Sequence, residues 1–126
     1  MGLPPDAWKA ASVALLALMF VGAGVMHFVR PRMFEAIVPP SLPWPRTAVL
    51  VSGVAEIAGG VGLLVEPLRE VAGWALAAML LAFLPVHVYM LREADRFADL
   101  APRWALWARL PLQFVLVGWV VWAATP

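Results

Sequence analysis

Four long apolar segments restrict how this chain can fold more than any other feature of the sequence. Each carries at most one formal charge over about 20 residues, which is the length that a helix needs to cross the hydrocarbon of a bilayer. A helix is also the only form in which a single segment satisfies its own backbone hydrogen bonds in lipid. The sequence therefore predicts an all-α integral membrane protein, an up-down-up-down four-helix bundle in one domain over residues 1–126. The predicted spans are residues 10–28, 47–65, 71–91 and 104–125.

Composition agrees with that class and removes several others. Hydrophobic residues make up 63% of the 126 residues and charged residues 13%, against about 45–50% and about 25% in soluble domains. The net charge of +1 gives no basic surface for a nucleic-acid partner. Because the chain has no cysteine, disulfides, thiolate catalysis and cysteine-ligated clusters are excluded. Any redox role needs a bound cofactor.

Tryptophans and arginines mark the ends and the orientation of the predicted spans. All seven tryptophans lie near span ends, where an aromatic belt forms at the level of the lipid headgroups. Arginines concentrate in two long connections, residues 29–46 and 92–103, whereas the opposite side has only Lys9 and Arg69. The positive-inside rule therefore places both long loops in the cytoplasm and both termini outside.

The first long connection is predicted to hold a short helix and then an extended segment. Residues 31–38 begin with a proline and place apolar side chains, Phe34 among them, on one face. Pro39 and Pro40 open a run of prolines that favours a polyproline-like backbone. Phe34, Pro39 and Pro40 are the candidate lid over a site between the helices. The structural alternative is a rigid linker.

Polar side chains inside the predicted spans form the candidate ligand-binding site. In lipid an ionisable group is costly and marks a functional site by default. Counted at about 1.5 Å per residue from the long-loop side, these residues lie at depths that allow them to line one cavity opening toward that side. They are His27, Glu56, His87, Arg109 and Gln113.

Glu56 is the most costly of them, because it lies about 14 Å into its span, near the bilayer centre. Arg109 is the one cation deep enough in a span to reach it, and Gln113 follows one turn later. Two interpretations stay open. The group carries a proton or anchors a ligand in an apolar pocket, or it is a buried ion pair that fixes the register of the helices.

The two histidines raise the question of a haem or a metal site. His27 and His87 lie at similar depths on the first and third spans, so that their imidazoles could in principle ligate one iron. No haem-attachment motif and no third metal ligand accompanies them. The sequence therefore disfavours haem and predicts no metal site.

Pro85 interrupts the third predicted span. Because proline has no backbone N–H, it leaves a carbonyl free one turn earlier, near Leu81. The resulting kink either shapes a cavity or is a tolerated membrane proline.

Several segments resemble the DoxX-like family of small four-span membrane proteins. They are GAGVMHFVRPRMFEAIVPPSLPWP, SGVAEIAGGVGLL, GWALAAMLLAFLPVHVYM and RLPLQF, which together reach from residue 22 to about 114. Where that family usually has Pro-Ala-Asn, this chain has Pro85, Val86 and His87, which makes a haem ligand at His87 still less expected. The resemblance matches His27, Phe28, Pro31, Phe34, Pro39, Pro40, Glu56, Pro85, Arg109, Pro111 and Gln113.

The resemblance implies a four-helix bundle, a location in the bacterial inner membrane and a membrane protein partner. It also implies an accessory subunit that binds a small lipophilic ligand such as a quinone in an oxidoreductase system. The alternative is an assembly factor, or chaperone-type interaction protein, in which the polar residues are purely structural. The sequence leaves open whether the chain turns over a substrate and whether it forms a homo-oligomer.

Overall fold

The computed structural model describes residues 2–126, which form helices joined by turns and contain no β-strand in that range. Two short 3₁₀ turns, Glu66–Leu68 and Ala94–Phe97, lie in the later connections. The six α-helices are α1 (Ala7–Val29), α2 (Pro31–Ala36), α3 (Pro45–Leu64), α4 (Arg69–Ala82), α5 (Leu84–Arg92) and α6 (Arg103–Ala124).

Four stretches of helix are long and apolar enough to cross a membrane. They are Ala7–Val29, Pro45–Leu64, Glu66–Arg92 and Arg103–Ala124. The four predicted spans are confirmed to this extent, with ends that differ by a few residues. Most residues of each stretch are not buried inside the molecule. Many of the exposed residues are large and apolar, which is compatible with contact with lipid.

Local sequence explains where several helices begin. The Asp6 carboxylate accepts hydrogen bonds from the backbone N–H groups of Trp8 (2.8 Å) and Lys9 (3.0 Å) and so caps α1. Pro31 and Pro45 lie in the first turns of α2 and α3, where a missing N–H costs nothing. Pro85, in contrast, separates α4 from α5 at Phe83.

Small residues let neighbouring helices approach each other closely. α1 packs against α3 and α6, and α4 packs against α3 and α6. At the α1–α3 crossing, a Cβ atom added to Gly24 would lie 2.6 Å from the Gly53 carbonyl oxygen. At the α4–α6 crossing, one added to Gly73 would overlap Ala124 Cβ. Glycine is therefore required at both crossings.

The main apolar core lies where α1, α3, α4 and α6 meet. Leu16, Leu63, Leu76 and Val120 are completely buried in it. A smaller cluster around Met90, Phe97 and Leu106 packs the long-loop side. Because lipid is as apolar as these side chains, the core holds the four long helices together by close van der Waals packing.

The proline-rich connection differs from the sequence-based prediction. The short helix ends at Ala36, earlier than residue 38, because Ile37 and Val38 close it with turn hydrogen bonds to Phe34 and Glu35. The following residues form turns, with Leu42 N donating to Pro39 O at 3.0 Å. The prediction of an extended polyproline-like backbone was therefore wrong. Trp44 takes a left-handed conformation with φ of 52° before Pro45, a conformation that costs a non-glycine residue about 1–2 kcal/mol.

Candidate functional site

His27 and Glu56 meet at the close crossing of α1 and α3. His27 Nδ1 lies 3.3 Å from Glu56 Oε2, and both side chains are more than nine-tenths buried. His27 Nδ1 also lies 2.6 Å from the Ala23 carbonyl oxygen, one turn back on α1. Because a carbonyl oxygen only accepts, Nδ1 carries a hydrogen and donates a hydrogen bond to the Ala23 carbonyl oxygen.

Glu56 Oε2 is therefore close to the imidazole without being bonded to it. Among the described residues, it is the one buried side-chain oxygen or nitrogen without a hydrogen-bond partner. An unpaired buried acceptor costs about 1–3 kcal/mol and calls for an explanation. The arrangement leaves an acceptor ready for a donor that comes from outside the chain.

Phe34 covers the imidazole from the side of the long loop. Its ring stacks on His27 with centroids 3.9 Å apart and an angle of 21° between the planes. Neighbouring Glu35 forms an ion pair with Arg46 at the start of α3. α2 is thus held over the end of α1 by one aromatic contact and one ion pair, which is the position predicted for a lid.

Arg109 and Gln113 form a second polar group, on α6. Arg109 donates from a guanidinium nitrogen to Gln113 Oε1 at 2.6 Å, and Gln113 Nε2 donates to the Leu80 carbonyl oxygen at 2.5 Å. Gln113 is completely buried. Gln113 thus bonds the Leu80 carbonyl across the helix interface, next to the predicted free carbonyl near Leu81, and Leu80 O also accepts from Phe83 N at 3.3 Å.

The predicted pairing of Glu56 with Arg109 is not formed. Glu56 lies beside His27, Arg109 bonds Gln113, and α3 and α6 are not among the helix pairs that pack closely. His87, half-buried on α5, is within Coulombic range of Arg109 and belongs with the second group. The five residues therefore form two groups, one at the α1–α3 crossing and one on α5 and α6.

Two surface cavities lie away from both groups. One, of about 590 Å³, is formed at the turn side between Asp6, Arg69 and Thr125. The other, of about 510 Å³, runs between the proline-rich connection and α5 and includes Pro39 and Pro40. None of the five predicted site residues lines either cavity, and neither does Phe34. Sequence reasoning missed the second cavity, whose signal is the spacing of Pro85, Tyr89 and Arg92 along one helix face.

No three histidine, aspartate or glutamate side chains within residues 2–126 come close enough together to hold a metal ion. The side chains of both polar groups are hydrogen-bond donors and acceptors. The first group offers a carboxylate and an imidazole, and the second offers a cation fixed by an amide.

Comparison with known proteins gives one match. None of the curated proteins and none of the solved structures matches the chain. Residues 16–124 match a family described as a domain of unknown function, DUF8561. Because this match spans most of the sequence, from within α1 to the end of α6, the chain belongs to the DUF8561 family.

Proposed function

We propose that this protein is an accessory subunit of a membrane oxidoreductase system, related to the DoxX-like proteins, that binds a small lipophilic ligand such as a quinone. The observation that carries the proposal is the buried Glu56 Oε2 atom, which has no donor among the described residues and lies beside His27. A ligand hydroxyl would supply the missing hydrogen bond. Electron transfer would belong to the partner protein.

The fold proposed for this function is an up-down-up-down four-helix bundle. The turn of Glu66–Leu68 between α3 and α4 is too short for anything but an antiparallel pair. The packing of α1 and α4 against both α3 and α6 supports a ring of four helices. The bacterial inner membrane, with both long loops in the cytoplasm, is the location that goes with this proposal.

Proton exchange is the chemistry that Glu56 and His27 would provide. With Nδ1 donating to Ala23, His27 has Nε2 left as its basic nitrogen. In its reduced form such a ligand has a hydroxyl that would donate to Glu56. In its oxidised form it has a carbonyl oxygen, which cannot donate. Hydrogen bonding to Glu56 would therefore distinguish the two forms. Phe34, stacked on His27, would move aside when the ligand binds.

The second candidate function is that of an assembly factor, in which the polar groups are structural. The observation that favours it is the position of the two cavities, since neither includes Glu56 or His27. In that case the exposed apolar faces of the helices would pack against a client membrane protein.

Native mass spectrometry on protein gently extracted from its own membranes separates the two functions. We expect the wild type to retain one lipophilic molecule with the mass of a quinone. Glu56→Gln keeps the shape of the side chain but removes its acidic group. We expect the variant to keep the helix content of the wild type and to lose the lipophilic molecule.

Glu93→Gln, an exposed change outside the spans, is the matched control and should retain the ligand. Bare wild-type protein, or wild type held only with another polypeptide, would favour the assembly factor. Equal retention by Glu56→Gln and wild type would remove Glu56 from the binding site.

A further inference from the structure

The cavity between the proline-rich connection and α5 has apolar walls along most of its length. Pro39, Pro40 and Leu42 form the loop wall, and Ala82 and Val86 belong to the helix wall. On the helix side it extends from Ala82, at the end of α4, past the break at Phe83 to Arg92, and the α5 part from Pro85 to Arg92 alone corresponds to about 10 Å of helix. A groove of this length and character suits one hydrocarbon chain.

The polar side chains of the helix wall lie toward the Arg92 end of the groove. Arg92 lines it there and forms no ion pair with any residue of the described part of the chain. Tyr89, one turn earlier, accepts a hydrogen bond from an Arg96 guanidinium nitrogen at 2.7 Å, which leaves its own hydroxyl hydrogen for another acceptor. Ser41 brings a further hydroxyl from the loop.

The charge at this end selects the kind of ligand. Arg92 is an uncompensated cation, Tyr89 has a donor to spare, and Arg96 adds a second positive charge within one turn. No carboxylate lines the groove. An anion that is attached to a hydrocarbon chain complements both ends.

The position of the groove fits a lipid that stays in the bilayer. Arg92 is the last residue of the third apolar stretch, where a helix passes from hydrocarbon into the headgroup region. The phosphate of a phospholipid lies at that level, and its acyl chain extends toward Ala82.

We propose that this groove is a binding site for one anionic phospholipid, with the phosphate on Arg92 and Tyr89 and an acyl chain between the prolines of the loop and α5. The site is separate from Glu56 and His27 and does not depend on the proposed ligand of that pair. It would fix the proline-rich connection against α5 while both contact the same lipid.

Native mass spectrometry of the purified full chain in detergent tests the headgroup. Delipidated protein is mixed with phosphatidylglycerol or with phosphatidylcholine of identical acyl chains. We expect one phosphatidylglycerol per chain, retained at least threefold more than phosphatidylcholine, and a loss of that preference in Arg92→Gln. Arg32→Gln removes the same charge from an exposed position outside the groove and should keep the preference.

The acyl-chain half of the proposal has its own pair of variants. Ala82→Trp fills the groove and should abolish phosphatidylglycerol retention, whereas Ala78→Trp, equally exposed one turn earlier and outside the groove, should not. Glycerol phosphate, the headgroup without its chains, should not displace the lipid. Equal retention of both lipids, an unchanged Arg92→Gln, an unchanged Ala82→Trp, or displacement by glycerol phosphate would each overturn the proposal.

Discussion

Gly24 and Gly53 set the distance between α1 and α3, and with it the distance between His27 and Glu56. A Cβ atom on Gly24 would meet both the Gly53 carbonyl oxygen and Ile57 Cγ1 at 2.6 Å. These are backbone and branched side-chain atoms that have little room to move. The same small residues that allow close packing thus bring the acid and the imidazole together.

Gly24→Ala should therefore destabilise the protein by about 1–3 kcal/mol, even though alanine is the better helix former. Gly22→Ala is the control, because nothing lies within 4 Å of an added Cβ there. It should be neutral or stabilise by up to about 1 kcal/mol. Unfolding in mixed detergent micelles, followed by circular dichroism, measures both changes. Equal effects of the two substitutions would contradict the packing described for α1 and α3.

At the scale of single elements, α2 is the least anchored helix. It has six residues, none of them buried, and its contacts to the rest are the Phe34 stack and the Glu35–Arg46 ion pair together with packing on α1 and α3. An isolated helix of this length is not stable in water, so its order depends on those contacts. α2 is the element that would have to move for a ligand to reach His27.

Arg46→Gln should loosen α2 without unfolding the long helices. The Arg46 side chain is 55% exposed, and a pair of this kind contributes up to about 1 kcal/mol. Hydrogen exchange of the α2 amides should then speed up by as much as about fivefold. Arg32→Gln, on α2 itself and without an ion pair among the described residues, should leave the exchange unchanged. An identical rise in both variants would point to a general charge effect.

Sequence predicted the helices well because apolar runs of about 20 residues have one solution in lipid. It also predicted that Arg109 and Gln113 would lie together, since residues four apart share a helix face. The predicted free carbonyl lies near Leu81, and Gln113 bonds the adjacent Leu80 carbonyl beside the break at Phe83.

The partner of Glu56 could not be predicted in the same way. Depth along a helix follows from residue number, but the rotation of one helix against another does not. Depth favoured Arg109 as the partner, whereas the glycine crossing of α1 and α3 brings His27 to Glu56. The stacking of Phe34 depends on where α2 ends, which turn hydrogen bonds after Ala36 determine.

At the scale of the whole molecule, the two ends of the long helices differ in character. The main apolar core is separate from the small cluster around Met90 and Phe97, and Gln113 bonds Leu80, a member of the main core. At the turn side, Lys9 Nζ donates to the Thr125 carbonyl oxygen at 2.8 Å. This contact joins the beginning of α1 to the end of α6.

The proposed orientation can be tested with single cysteines, because the chain has none of its own. Asp99→Cys lies in a long loop and Leu68→Cys in the turn between α3 and α4, and both positions are exposed. In intact spheroplasts, a membrane-impermeant maleimide should label Leu68→Cys and should reach Asp99→Cys only after lysis. The reverse pattern would place the long loops outside, and labelling of both before lysis would contradict a four-span topology.

The turn Glu66–Leu68 also bears on how the protein is made. Because the connection from α3 to α4 is this short, we expect the two helices to insert together as a hairpin. The uncharged α4 core would then offset the roughly 2.5–3.5 kcal/mol that an acid near the bilayer centre costs on insertion. Because α1 precedes α3 in the chain, His27 is synthesised before Glu56. The order of translation thus delivers the base ahead of the acid.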